Sequence, residues 1–197
     1  MKKTMIAVLA LLAALTATAA ALQGEQQALA GKLVRLHVVA NSDSEEDQAL
    51  KLRVRDAVLA ATSGLEAEDL ETALPQIEAA ARTCLREQGS GDAVTVTLGD
   101  ERFPTRLYEN FALPAGVYRS LRVTIGAGEG HNWWCVAFPS ICFRATAADV
   151  QEAAVSAGFT RDEVRLITGD GGGYVLKFKI LELLERLKVR FLCHCDL

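Results

Sequence analysis

Histidine and proline are scarce in this chain, three and four among 197 residues. So few histidines leave little from which to build metal centres. Basic clusters are lacking as well: no run of lysine and arginine exceeds a few residues, and the formal net charge is −4. That balance disfavours nucleic acid as a partner. No G-x-S-x-G element occurs, so the strained turn that presents the serine of an α/β hydrolase is missing. Internal repeats are absent too. Strands do not alternate with helices in βαβ fashion, which argues against a doubly wound sheet. What is present is apolar: half the residues are hydrophobic. Such a chain buries a real core, and its length suits one domain.

The first segment, "MKKTMIAVLALLAALTATAAALQGEQQ", places Lys2 and Lys3 before an apolar run from Met5 to Leu15. Small residues follow, including the A-x-A pattern Ala17-Thr18-Ala19. This is the order of a signal peptide. Met5 to Leu22 is also long enough to span a bilayer if left uncut. In either case the lysines stay cytoplasmic and the remainder is exported. A buried core helix fits less well, because nothing on the segment gives it a polar face. Its removal takes both lysines away and leaves the rest more acidic.

Beyond it, Leu33 to Val39 reads as a strand. Ser42 and Ser44 precede Glu45, Glu46 and Asp47, an N-cap followed by acids in the first turn. Leu50, Val54, Ala57, Val58 and Ala61 recur at helical spacing, Asp47 and Lys51 form an i,i+4 pair, and Gly64 ends the helix. A second helical stretch carries Leu70, Leu74, Ile77, Ala81 and Cys84 or Leu85, with Pro75 expected to kink it or begin a new helix. Val94, Val96 and Leu98 alternate with threonines as a half-buried strand. "FPTRLYENFALPAGVYRSLRVTIG" holds two more, with Val117, Leu121, Val123 and Ile125 facing one way and Tyr118, Ser120, Arg122 and Thr124 the other. Thr146 caps a short helix, Thr160 with Glu163 makes a capping box, "GDGGG" is a break, and the tail from Tyr174 is helical by composition. The sum is an α+β domain: a largely antiparallel sheet covered on one face by helices, after an N-terminal signal or anchor helix. Residues 1–22 form the signal peptide or anchor, 31–190 a single extracytoplasmic domain, and 191–197 a Cys-rich tail.

Chemistry is sparsely signposted. "IGAGEG" ends a strand, but aromatic, β-like sequence follows it where a phosphate loop needs a helix. Five cysteines in an exported chain leave at least one unpaired or paired between chains. Cys135 and Cys142 flank a Phe-Pro turn, and a bridge between them contributes roughly 2–3 kcal/mol on the chain-entropy view. Cys84 falls on the buried side of its helix. Cys193, His194 and Cys195 are too closely spaced for a tetrahedral metal site without help from His37 or His131, and a tail-to-tail disulfide fits equally. No metal and no cofactor is expected. His131 and Cys135, four apart on an extended chain, do not form a nucleophile–base pair. Trp133 and Trp134, adjacent on a strand, face opposite ways, so one of them faces outward unless something covers it. His37, Asn41 and Asp43 gather at a strand end and helix start.

Two stretches, "RLHVVANSDSEEDQALKLRVRDAVL" and "YENFALPAGVYRSLRVTIGAGEGHNWWCVAFPSICF", closely resemble the stage II sporulation protein R family of endospore-forming bacteria. The likeness runs from about Arg35 to Phe143, is loose beyond Thr146, and does not include "CHCDL". It implies a signalling protein and no catalyst. Such a protein is made in the forespore and exported into the intermembrane space, touching membrane only through its N-terminal segment. There it triggers the membrane-bound aspartic peptidase, stage II sporulation protein GA, to process the precursor of sigma factor E. On this reading His37, Asn41, Asp43, Asp47, Arg53, Trp133 and Trp134 are the candidate receptor-binding residues. The rival readings are an exported cell-wall or peptide hydrolase with His37 or His131 as base, and a structural cell-envelope module.

Overall fold

A computed structural model describes residues 2–141, 146–169 and 178–183 of the chain. The first helix, α1 (Lys2–Ala30), is long and apolar enough to cross a membrane, and its most apolar 18-residue window is wholly unburied. Its end behaves differently. Gln26, Leu29 and Ala30 are buried against the rest of the molecule, so packing begins before residue 31.

Strand β1 (Val34–Val39) is buried along its whole length. Helix α2 (Glu45–Thr62) starts as its sequence dictates: Ser44 Oγ accepts from the Asp47 amide at 3.1 Å, with three acids in the first turn. Its buried stripe is turned from the expected one. Val54 and Val58 are core, but Lys51, Arg55 and Thr62 are buried where Leu50, Ala57 and Ala61 are only partly so. The long stems of Lys51 and Arg55 lie along the core and carry their charged ends to its margin.

Helix α3 (Leu70–Glu87) runs uninterrupted through Pro75, contrary to the expected break. The proline falls early in the helix. Its missing N–H frees only the carbonyl of Glu71, an exposed position where solvent replaces the bond.

Strands β2 (Val94–Phe103), β5 (Gly116–Ile125) and β6 (Asn132–Phe138) join β1 in a sheet of order β2-β5-β1-β6. The outer pairings, β2 with β5 and β1 with β6, are antiparallel, and the central β1–β5 pairing is parallel. Two-residue strands β3 (Arg106–Leu107) and β4 (Ala112–Leu113) form a separate small hairpin. Helices α4 (Ala147–Ser156) and α5 (Arg161–Thr168) each begin with a capping box, Thr146 with Asp149 and Thr160 with Glu163. Residues 178–183 are helical; the remainder of the glycine-rich break and of the tail lies outside the described residues.

Both faces of the sheet are covered, where helices on one face were expected. Helices α2 and α3 close the first core over Leu36, Val38, Val96, Leu121, Val123 and Ile125. On the opposite, hairpin face, the end of α1, the β3–β4 hairpin, α4 and α5 enclose Phe103, Tyr118 and Val136. Two side chains of β5 mark the reach of this packing. Tyr118 is only 1% exposed and donates from its hydroxyl to the Pro114 carbonyl at 2.7 Å. Val117 is exposed and lines a cavity of about 1040 Å³ where α1 enters the domain.

Candidate functional site

At the end of β1 the chain turns through Ala40–Ser44 into α2, and the β5–β6 turn folds over it. Glycines permit the contact. A Cβ on Gly126 would meet Asn41 Oδ1 at 2.2 Å, and one on Gly130 would meet the Ser42 carbonyl at 2.2 Å. Gly126 also holds a left-handed φ of 55°. Backbone bonds seal the two turns, from Glu129 N to Asn41 O and from Gly130 N to Ala40 O.

Side chains complete the closure. Asn41 Oδ1 accepts from Ala127 N at 2.9 Å, and Asn41 Nδ2 donates to Asp47 Oδ2 at 2.9 Å. Ser42 Oγ donates to the same carboxylate oxygen at 2.6 Å. The hydrogen bonds from Ser42 and then Asn41 hold Asp47 below the usual carboxylate range. Lys51 does not pair with Asp47 as helical spacing suggested. Its ammonium donates to Gln48 Oε1 at 2.5 Å and to the His131 carbonyl at 2.9 Å, and burial lowers its pKa. Asp43 reaches across to the other turn, accepting from the His131 amide at 2.6 Å and from its ring Nδ1. The His131 contact lowers the Asp43 pKa, and both side chains stand in solvent.

A second cluster lies on the hairpin face. His37 Nδ1 is 2.7 Å from Glu101 Oε1, and Nε2 is 2.7 Å from Asn132 Oδ1. Arg122 donates to the same Glu101 oxygen at 3.0 Å. The imidazole is 4% exposed and tilts against Trp134 at 5.6 Å between ring centres. Both ring nitrogens therefore have a side-chain partner inside the protein.

The tryptophans face opposite ways, as adjacent strand positions must. Trp133 packs on the α2–α3 core with the Arg55 guanidinium 4.5 Å from its ring centre. Trp134 joins the other core, with Arg106 over its ring at 3.6 Å. Arg53 stands apart, exposed on α2, where its charge acts on Cys84 of α3. Asn41, Asp43 and Asp47 thus meet in one place, His37 and Trp134 in a second, while Trp133 sits on the far face.

Sequence reading missed Arg35, Glu101, Arg106 and Tyr108. Arg35 is fully buried, donating to the Cys135 carbonyl at 2.9 Å and to the Tyr108 hydroxyl at 2.8 Å. The signal was a charge inside an apolar strand, which ordinarily means a solvated face.

Cys84 is a half-buried free thiol whose pKa burial raises. Cys135 is buried in β6; Cys142, Cys193, His194 and Cys195 lie outside the described residues. Among the described residues no group of three or more His, Cys, Asp or Glu is placed to hold a metal.

A family model described as stage II sporulation protein R matches residues 30–148, from the end of α1 to the start of α4. The chain is similar to stage II sporulation protein R of Bacillus subtilis (strain 168), 41% identical over 119 residues. That stretch is 56% of this chain and 53% of the relative, so the match spans about half the relative's length. No solved structure matches.

Proposed function

Because the chain belongs to the stage II sporulation protein R family, we propose that it is an exported sporulation signal. It acts on stage II sporulation protein GA, leading that aspartic peptidase to process the sigma-E precursor. One observation carries the reading. The two stretches that mark the family, Arg35–Leu59 and Tyr108–Phe143, meet through turns that lie some ninety residues apart in sequence. They are nonetheless knitted into one end of the sheet by Asn41, Asp43, Asp47 and two close-packed glycines. That closure fixes a shape at the end of the sheet. Of the two histidines that the hydrolase reading offers as base, His37 is engaged at both ring nitrogens inside the protein, and His131 is held by Asp43 through Nδ1.

Asn41 and Asp47 serve by holding the surface in place. Asp43 with His131 forms the part that meets the receptor, Trp134 extends it on the hairpin face with buried His37 as its support, and Arg53 and Trp133 lie apart from it. A bridge from Cys135 to Cys142 staples the strand behind it. Helix α1 carries the chain across the forespore membrane and is either cut or kept as an anchor. The ligand activates by binding the active form of its receptor more tightly than the inactive one. Bringing two peptidase chains together is one such route, since aspartic peptidases need two carboxylates in one site.

The test is co-expression, in a non-sporulating host, of the chain, the peptidase and the sigma-factor precursor. Processing that requires this chain supports the signal. A precursor untouched in the presence of all three, with each protein accumulating, rejects it.

A further inference from the structure

Two guanidinium groups on the hairpin face lack an anion. Arg35 is completely buried, and its Nη1 has no hydrogen-bond partner. Its ring neighbours are Phe103 and Tyr118, at 4.3 and 5.2 Å from the guanidinium carbon. Arg106 lies close enough for its charge to act on Arg35. Its guanidinium stacks on Trp134 and its buried Nε is also without a partner. Its backbone pairs with Leu113, but among the described residues the Arg106 side chain makes no hydrogen bond or ion pair. Glu101, a neighbouring acid on the same face, is engaged through Oε1 by His37 and Arg122, and its buried Oε2 has no hydrogen-bond partner, which leaves one acid against three arginines on this face.

Cations taken from water without a counter-charge are costly, and a carboxylate supplied from outside relieves that cost. The arginine is also prepared to receive one. Stacking on Trp134 fixes its planar donor fork, so little side-chain freedom is left to lose. Leu107, the next residue, is 73% exposed, more than any other large apolar side chain described. The hairpin that presents it is rigidly seated. Tyr108 stacks on Phe111 at 4.4 Å and donates to the Trp134 carbonyl at 3.2 Å. An arginine stacked on a tryptophan has the composition of an interaction hot spot, and Leu107, which points to the other side of the same strand, carries apolar surface around the hairpin's edge.

We propose that Arg106, Leu107 and Trp134 form a docking surface for an apolar protein segment bearing a carboxylate. Arg106 receives the carboxylate and Leu107 packs against the apolar side chain. Charge complementarity chooses the occupant: the unanswered positive charge calls for an acid, and the exposed leucine for a protein segment in preference to a free anion. The inference rests on the receptor reading above and names the surface by which the peptidase is held.

The experiment is a binding titration of the full chain against detergent-solubilised peptidase, with R106E, L107S and R86E variants compared with wild type. Arg86 is exposed on α3, far from the hairpin in sequence and layer, and serves as control. The surface predicts a Kd raised tenfold or more by R106E, severalfold by L107S, and unchanged by R86E. Melting curves guard against misfolding, and Leu107 is too exposed for its replacement to unfold the domain. Wild-type affinity retained by both R106E and L107S overturns the surface while leaving the receptor reading intact. Failure of wild type to bind overturns the reading itself, and the assigned partner with it. Binding to phosphatidylglycerol vesicles that R106E abolishes, with peptidase affinity unaltered, assigns the arginine to lipid and rejects the proposal.

Discussion

Asn41 donates its side-chain amide to Asp47 Oδ2 at 2.9 Å while its carbonyl oxygen accepts from Ala127 N, so one residue joins the start of α2 to the β5–β6 turn. Asn41→Ala removes both bonds and leaves partly buried groups unmet, for an expected loss of about 1–2 kcal/mol in denaturant unfolding. The same network makes stability depend on acid. Asp47 has a lower pKa folded than unfolded, so the folded state binds fewer protons there. Its contribution is complete above the unfolded carboxylate range and is lost as pH falls through the folded value. Melting temperature measured downward from pH 5 is expected to drop less steeply in Asp47→Asn than in wild type, from a lower starting point.

Gly130 is irreplaceable for a different reason. A methyl group there would sit 2.2 Å from the Ser42 carbonyl oxygen, a backbone atom that cannot swing aside. Gly130→Ala is therefore expected to push the two turns apart and lower the melting temperature by several degrees. Gly91→Ala, where nothing lies within 4 Å, is expected to leave it unchanged. Equal melting of the two variants would show that the turns are not in contact.

The two tryptophans separate stability from signalling. Trp133 packs on the α2–α3 core, and Trp133→Ala is expected to cost about 2 kcal/mol, with processing reduced only as far as abundance falls. Trp134→Ala also removes the platform under Arg106 and beside His37. Its processing is expected to fall further than its abundance. Immunoblots for chain and processed sigma factor, read from the same cells, give both quantities.

How much of this was legible in the sequence follows the distance over which each interaction acts. Ser44, Thr146 and Thr160 cap helices through bonds three residues long, and all three could be read directly. Local rules also failed where a distant partner intervened. Helical spacing matched Lys51 to Asp47, but the ammonium turns to the carbonyl of His131, eighty residues on. "VRLHVV" alternates like a strand with Arg35 and His37 facing water. Both are buried, because the Arg106–Leu113 hairpin and Phe103, more than sixty residues away, close over that face. Nothing periodic in the chain announces such a lid. The tight pairing of the two turns was equally hidden, although the glycines of "GAGEG" marked one of them as a turn.

Tyr118 offers a probe of the covered face. Burial pushes its phenol up to about 12. The folded state therefore keeps this proton when the unfolded chain has lost it. Stability near neutrality is unaffected, and it declines as pH rises past the ordinary tyrosine value of about 10. Tyr118→Phe is expected to flatten that alkaline decline. It also loses about 1 kcal/mol at neutral pH, with the bond to Pro114 gone. Unfolding free energies at neutral and alkaline pH test both.

The central claim is that the turn-to-turn surface at the end of the sheet touches the peptidase. Site-specific photocrosslinking tests it most directly, with the reactive group placed in turn at His131 and at Arg82, an exposed position on α3. Cells making the chain, the peptidase and the precursor are expected to yield a peptidase adduct from position 131 and none from position 82. Equal adducts from both positions, or an adduct from position 82 alone, would contradict the account.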